Sequence, residues 1–211
     1  MTQEFRVLSV NVSRPRRFSH RGKTATSSIW KTPVEGPVAA RGVNLEGDDQ
    51  ADREVHGGSD KAVYAYAIED IRWWEEPLRR GIPLSAFGEN LTTSGIDVSG
   101  AIIGERWEIG TVLLQVSQPR SPCWKLGVKM EDPGFPRKFT EALRPGAYLR
   151  IVREGVLAAG DLIRVVDRPA HGVRISDVFR IYVRERERAS LLLDVPELSE
   201  DWKEWARRSV S

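Results

Sequence analysis

From Thr111 to Ser117, Val112, Leu114 and Val116 alternate with Thr111, Leu113, Gln115 and Ser117. A period of two is that of a pleated strand, and the apolar Leu113 on the other face predicts a strand covered on both sides. "FRVLSVNV", Phe5 to Val12, is apolar and β-branched, and "AYLRIVREGVLAAGDLIRVVDRP" reads as two strands around a turn at Glu154 and Gly155 with a third from Asp161. Short strands broken by 18 glycines argue for a barrel or sandwich, not for alternating βαβ units. One helix interrupts them: Ile68, Ile71, Trp74 and Leu78 follow helical spacing, with Pro77 ending or kinking it. After "RPAHG" the period changes. Val178, Phe179 and Tyr182 share a helical face behind Ser176 and Asp177 as caps, "ASLLLDV" stops before Pro196, and "LSEDWKEWARR" has Ser199 as cap with Arg207 and Arg208 in its last turn. The expected fold is mainly β with added α: a β-barrel over 1–168 and a small three-helix domain over 173–211.

Composition narrows this picture. A chain of 211 residues is long enough for a real core, and its single cysteine allows no intrachain disulfide. That fits a reducing compartment, so the expected location is cytoplasmic. No segment approaches the roughly 20 apolar residues of a membrane span. The net charge of +2 supplies little general attraction for nucleic acid or anionic membrane, so neither is an expected partner and any anion site must be local. The basic run "RPRRFSHRGK" reads as a solvated loop.

Three stretches carry candidate chemistry. In "SQPRSPCWKLG" Cys123 follows the buried strand on a loop stiffened by Pro119 and Pro122, with Arg120 and Lys125 able to favour thiolate, the nucleophilic and metal-binding form. A small buried hydrophobe is the competing reading. In "GDDQADREVHGGSDKAVYAY" the glycines expose backbone N–H groups while His56 and Lys61 add a proton donor and a fixed charge, although an ordinary turn has the same composition. In "FGENLTTSG" Asn90 can donate and accept hydrogen bonds and Glu89 can accept a proton or orient a cation, and a polar loop is the alternative. There is no Walker loop, dinucleotide fingerprint, nucleophile elbow or paired histidine at metal-ligand spacing.

In chain order, "GDDQADREVHGGSDKAVYAY", "FGENLTTSGID" followed by "IGERWEIG", and "LQVSQPRSPCWKL" resemble the MOSC domain family and within it the YiiM-like branch, whose β-barrel is followed by a three-helix domain. The resemblance implies a molybdenum-pterin cofactor in a barrel-side cleft, Cys123 as thiolate ligand to the metal, and reduction of N-hydroxylated compounds such as hydroxylaminopurines with release of water. Lys61, Glu89, Asn90 and Arg120 fall in matching motifs and would surround the cofactor; His56 is the best placed proton donor. With no flavin, nicotinamide or iron–sulfur fingerprint in the chain, electrons are expected from a separate reductase, a flavoprotein. The runner-up is a sulfur carrier with a persulfide on Cys123, fed by another protein because the desulfurase domain of molybdenum cofactor sulfurases has no counterpart here.

Overall fold

The computed structural model describes residues 4–50 and 57–210. In chain order it has β1 (Arg6–Val12), β2 (Arg16–His20), β3 (Lys23–Ser27), β4 (Thr32–Val34), β5 (Val38–Arg41) and β6 (Asn44–Leu45). A 3-10 turn at Ser59–Lys61 leads into β7 (Val63–Ala67), helix α1 (Ile68–Leu78), β8 (Leu91–Ser94), β9 (Arg106–Ile109) and β10 (Val112–Pro119). Helices α2 (Trp124–Lys129) and α3 (Phe135–Ala142) precede β11 (Ala147–Arg153), β12 (Gly155–Leu157) and β13 (Ile163–Asp167). The chain ends with α4 (Ile175–Arg184), a 3-10 segment Arg186–Asp194 and α5 (Glu200–Val210).

One mixed sheet runs β13-β9-β10-β11-β7-β8-β1-β4, with β7 and β8 parallel. Its β1 also meets the segment entering β13: Val7 N donates to Asp161 O at 3.0 Å, Gly160 N to Val7 O at 2.8 Å and Ile163 N to Phe5 O at 2.8 Å. Those bonds close the sheet into a barrel and pair backbone groups that an open edge would leave exposed. The alternation in β10 does what its sequence predicts, since Val112, Leu114 and Val116 are fully buried and Leu113 is partly covered on the other side. Helix α1 ends at Leu78, one residue past Pro77, with Arg79 left-handed at φ 50°.

Several local expectations change. Gly155–Leu157 is a strand, but it pairs with β5 in a separate three-stranded sheet and not with β11. The basic run is no loop: β2 and β3 form a hairpin, held because Phe18 packs on Trp30 and His20 stacks on Trp124 at 5.1 Å. At the C-terminus the middle helix is 3-10. Asp177 caps α4 from the third position, accepting Arg174 N at 3.0 Å, whereas the Ser199 hydroxyl makes no hydrogen bond before α5.

The barrel interior and the C-terminal helices share one apolar cluster, in which Val116, Trp107 and Ile103 belong with Phe179, Leu192 and Trp202. Backbone bonds from Ile103 N to Val173 O (2.9 Å) and Ile175 N to Ala101 O (2.9 Å) stitch the two parts. Truncating the fully buried Phe179 to Ala should therefore cost the whole chain about 3–5 kcal/mol and keep one unfolding transition. Two separated transitions in urea, monitored by far-ultraviolet circular dichroism and tryptophan fluorescence, would instead make 1–168 and 173–211 independent domains.

Candidate functional site

β10 delivers the loop Arg120–Cys123 to the barrel surface. Pro119 is its last strand residue, and Cys123 is extended (φ −118°, ψ 169°) at the start of α2. The thiol is free and half-buried. It stands on a wall shared by two cavities of about 110 and 280 Å³, to which Lys61, Ser121 and Tyr148 also contribute on both sides.

The smaller cavity is polar. Arg120, 5% exposed, donates from Nη1 to Phe87 O at 2.6 Å, and its guanidinium lies 4.9 Å from the Tyr64 ring centre and 5.7 Å from that of Phe139. Among the described residues no carboxylate pairs with it. Burial raises the phenol pKa values of Tyr64 and Tyr148, against the opposing pull of Arg120, so both rings beside the cation stay neutral. A guanidinium removed from water without a carboxylate in contact is costly, and Tyr64, Tyr148 and Cys123 all lie close enough to interact with it electrostatically.

Behind Arg120 the buried lysines are bonded to other protein groups. Lys31 Nζ reaches both Asp48 oxygens, at 2.6 and 2.5 Å, while Asp48 also accepts Ser13 N (2.8 Å) and Asn90 Nδ2 (2.8 Å). Burial holds Lys31 below the ordinary lysine value despite Asp48. Asn90 lines the cavity, yet its amide ties strands together: Nδ2 donates also to Asn11 O (3.2 Å), and Oδ1 accepts Tyr64 N (3.1 Å). Both N–H bonds are thus used where β1, β7 and the start of β8 converge.

Glu89 lines neither cavity. Fully buried, it accepts Ser85 N (2.6 Å), Phe87 N (3.1 Å) and the Thr92 hydroxyl (3.0 Å), and so shapes the turn whose Phe87 carbonyl holds Arg120. Burial raises its pKa, with its hydrogen-bond donors and Lys129 opposing. Lys129 donates to Ile29 O (2.7 Å) and to Ser85 O, and burial pushes it down to about 8 against the attraction of Glu89. Gly88 completes the turn at φ +77°, where an added Cβ would lie 2.7 Å from Ile29 Cγ1.

Lys61 ends the 3-10 turn before β7, lines both cavities and pairs with Asp201 of α5 at 2.7 Å. His56 lies outside the described residues. The structure therefore gathers Cys123, Arg120, Asn90 and Lys61 around one wall and sets Glu89 behind it. Lys31, Asp48, Lys129, Tyr64 and Tyr148 were missed from sequence; only Asp48 and Tyr64 lay within a stretch already marked as candidate chemistry.

What this site can hold follows from its donors. No group of three or more His, Cys, Asp or Glu among the described residues could bind a metal alone, so a metal here needs the single soft thiolate plus ligands brought by another molecule. Arg120, which meets no carboxylate among the described residues, and the buried hydroxyl of Ser28, which makes no hydrogen bond among them, suit an anionic, hydrogen-bonding ligand in the same cavity. The residues present fit a cofactor that carries its own metal ligands and negative charge.

Residues 52–164 match the model of the MOSC domain, and the chain belongs to that family. It is 35% identical over 207 residues to the uncharacterized protein YflK of Bacillus subtilis (strain 168), covering 96% of this chain and 94% of that one. A protein named "Reductase" from Gibberella moniliformis (strain M3125 / FGSC 7600) is 30% identical over 181 residues, 84% of this chain but 32% of its own length. The crystal structure of YiiM from Geobacillus stearothermophilus superposes with a TM-score of 0.82 at 33% identity, covering 98% of this chain and all of that one. Within the family the chain is YiiM-like. MOSC domains are associated with the molybdenum cofactor. No helix among the described residues is long and apolar enough to cross a membrane.

Lys129 gives the site a measurable pH signature. Its folded pKa of about 8 lies below the ordinary lysine value, so between about pH 8 and 10.5 the unfolded chain holds more protons. The contribution of this group to stability then rises with pH across that window, by on the order of 2–3 kcal/mol at its limit. Urea unfolding at pH 7.5 and 9.5 should show the rise in wild type and lose it in Lys129→Met; equal slopes in both proteins would place the titration elsewhere.

Proposed function

We propose that this protein is a molybdenum-cofactor-dependent reductase of N-hydroxylated compounds. The observation that carries the reading is Arg120: a buried cation with no carboxylate partner among the described residues, beside a free thiol at the wall of a cavity. Such an arrangement sets positive charge beside the thiol and leaves it available to an anionic ligand. The family and the name of the fungal relative support the same reading.

In this reading Cys123 holds the metal, Arg120 fixes the thiolate, and Lys61 with Asn90 and Ser28 faces the polar part of the cofactor while Glu89 holds the Arg120 turn in place. The bound cofactor supplies two-electron redox chemistry. The net reaction is R–NH–OH + 2H⁺ + 2e⁻ → R–NH₂ + H₂O: the N–O bond breaks, nitrogen is reduced and the departing oxygen leaves as water. One proton goes to that oxygen, and His56 is assigned as its donor. The electrons come from a separate reductase, a flavoprotein that docks transiently.

The test is metal and pterin content after production in a host that makes the cofactor. Wild type should carry about one molybdenum per chain with its pterin, and Cys123→Ala should lose the metal while remaining folded. No molybdenum or pterin in wild type even after reconstitution would end the reductase reading, and a reductant-labile extra sulfur on Cys123 would replace it with sulfur carriage.

Arg120→Met separates binding from folding. Removing a buried charge with no carboxylate partner among the described residues should leave the cofactor-free protein as stable or about 1–3 kcal/mol more stable, while cofactor retention falls at least tenfold. A loss of stability with cofactor retained would show that Arg120 serves the fold alone. For His56→Ala, an unchanged reduction rate and pH profile would remove it as proton donor.

A further inference from the structure

Between Ser13 and Thr24 the chain carries Arg14, Arg16, Arg17, Arg21 and Lys23 and no Asp or Glu; the nearest acids in sequence are Glu4 and Glu35. All five cations are exposed, and among the described residues none of them meets a carboxylate. Charge in the C-terminal segment is balanced by contrast. Residues 173–211 hold eight cations and eight acids, with Arg180, Arg188 and Lys203 in ion pairs. In a chain of net charge +2, the hairpin is therefore a local positive field.

β2 and β3 hold this charge against the site. Phe18 and His20 turn inward: Phe18 lies 4.7 Å from Trp30 and 5.7 Å from Trp124, His20 stacks on Trp124 at 5.1 Å, and the Arg16 guanidinium lies 4.3 Å over Trp30. Arg17, out of phase with them, takes the opposite face. At the tip Arg21 and Gly22 both have positive φ, 50° and 73°, in the tight turn of a two-residue hairpin loop. At the root β3 runs into Ser27, Ser28 and Ile29, which line the polar cavity beside Cys123. Trp124, next in the chain after Cys123, is 46% exposed and borders a groove of about 640 Å³ with His20, Arg21, Val128 and Pro133, Glu131 standing on its rim.

Unpaired cations around one half-exposed tryptophan have the composition of a small, transient docking surface, where charge steers the encounter and an apolar contact fixes it. The partner must be anionic. A single-stranded nucleic acid would need free aromatic faces for its bases, and Phe18 and His20 spend theirs on Trp30 and Trp124. An acidic protein needs only the charge and the groove. Resting on the reductase reading above, we propose that the β2–β3 hairpin together with Trp124 is the docking surface for the electron donor, an acidic flavoprotein. Arg17, Arg21 and Lys23 meet its carboxylates, and an apolar side chain of the donor enters the groove against Trp124. Because the root of the hairpin lines the Cys123 cavity, this contact brings the donor to the side of the barrel that holds the thiol. The C-terminal helices take no part in it.

The probe is flavodoxin, an acidic flavoprotein, titrated calorimetrically into the full chain. Wild type should bind it, with affinity falling at least tenfold between about 20 and about 300 mM NaCl. Arg17→Glu combined with Lys23→Glu should weaken binding at least tenfold at low salt, and Arg17→Lys with Lys23→Arg should restore it. Arg186→Glu with Arg208→Glu makes the same change in net charge on the C-terminal segment and should leave binding within about twofold of wild type. Exposed side chains without ion pairs can be exchanged with unfolding temperatures kept, which separates loss of docking from loss of fold. In the cofactor-loaded enzyme, reduction of benzamidoxime driven by flavodoxin should lose at least tenfold in kcat/KM for the donor in the hairpin variant, while reduction driven by saturating reduced methyl viologen, which needs no docking, stays unchanged. No binding by wild type, salt-independent binding, or equal loss in the two charge-reversal pairs overturns the docking surface. So does tighter binding of a single-stranded oligothymidine than of flavodoxin, which would give the hairpin to nucleic acid. Viologen-driven reduction with flavodoxin turnover indifferent to the hairpin charges keeps the reductase reading and removes the surface; hairpin-dependent docking with no reduction by either donor does the reverse.

Discussion

A buried charge that meets no carboxylate among the described residues organises this site. Arg120 is carried inward by the end of β10, the strand with the most regular apolar alternation in the chain, and its position follows from core packing that leaves little freedom. Among the described residues Lys31 is ion-paired with Asp48, and Lys129 is bonded to Ile29 O and Ser85 O with the longer-range attraction of Glu89. Arg120 alone of the three both lacks a carboxylate in direct contact and stands in the cavity beside Cys123 without one drawing it away. A hydrophobic residue in its place would fold at least as well by ordinary accounting of desolvation. Its presence is better explained by ligand binding than by stability.

The supporting shell shows how indirectly such a charge is held. Glu89 never reaches the cavity; it bonds two backbone N–H groups of the Ser85–Phe87 turn, and that turn offers Phe87 O to Arg120. Asn90, next in sequence, spends its amide on Asn11, Tyr64 and Asp48, joining the one parallel strand pair described to β1 and to the Lys31–Asp48 pair. Two adjacent polar residues therefore do separate structural work, one behind the cation and one across the barrel seam. Backbone geometry enforces the arrangement, since Gly88 between Phe87 and Glu89 leaves no room for a side chain against Ile29.

Local periodicity made much of the fold legible. The β10 alternation, the helix ended near Pro77 and the charged ends of the last helix all express rules that act within a few residues, and each appears in the structure. Pairings that bridge the chain were not legible. β12 leaves its neighbour β11 for β5, and the barrel closes through Val7 with Asp161, contacts for which no short-range pattern exists. The hairpin at Arg16–Ser27 was hidden for another reason: its exposed strands are rich in charge, and only its packing on Trp30 and Trp124, distant or adjacent by fold alone, gives it shape. At the site, Cys123 and Arg120 could be singled out from one short stretch, whereas Lys31, Asp48 and Lys129 are ordinary surface residue types until tertiary burial makes them unusual.

The two cavities meet at one thiol and differ in their lining. On one side it is charged and hydrogen-bonding, built by the barrel from β7, β11, the loop after β10 and the loops before β4, β7 and β8; on the other, Tyr182 of α4 and Trp202 and Trp205 of α5 face the barrel's Gln118, Pro122 and Tyr148. Joining them requires the C-terminal helices to sit at a fixed height over Cys123. That height is set by the continuous core running from Trp107 to Trp202 and by Arg150, which reaches Gln115 Oε1 at 3.3 Å and Glu197 O at 2.8 Å. The helical segment is thus placed by the same packing that positions Arg120, so the geometry of the thiol wall and the shape of the aromatic cleft depend on one core.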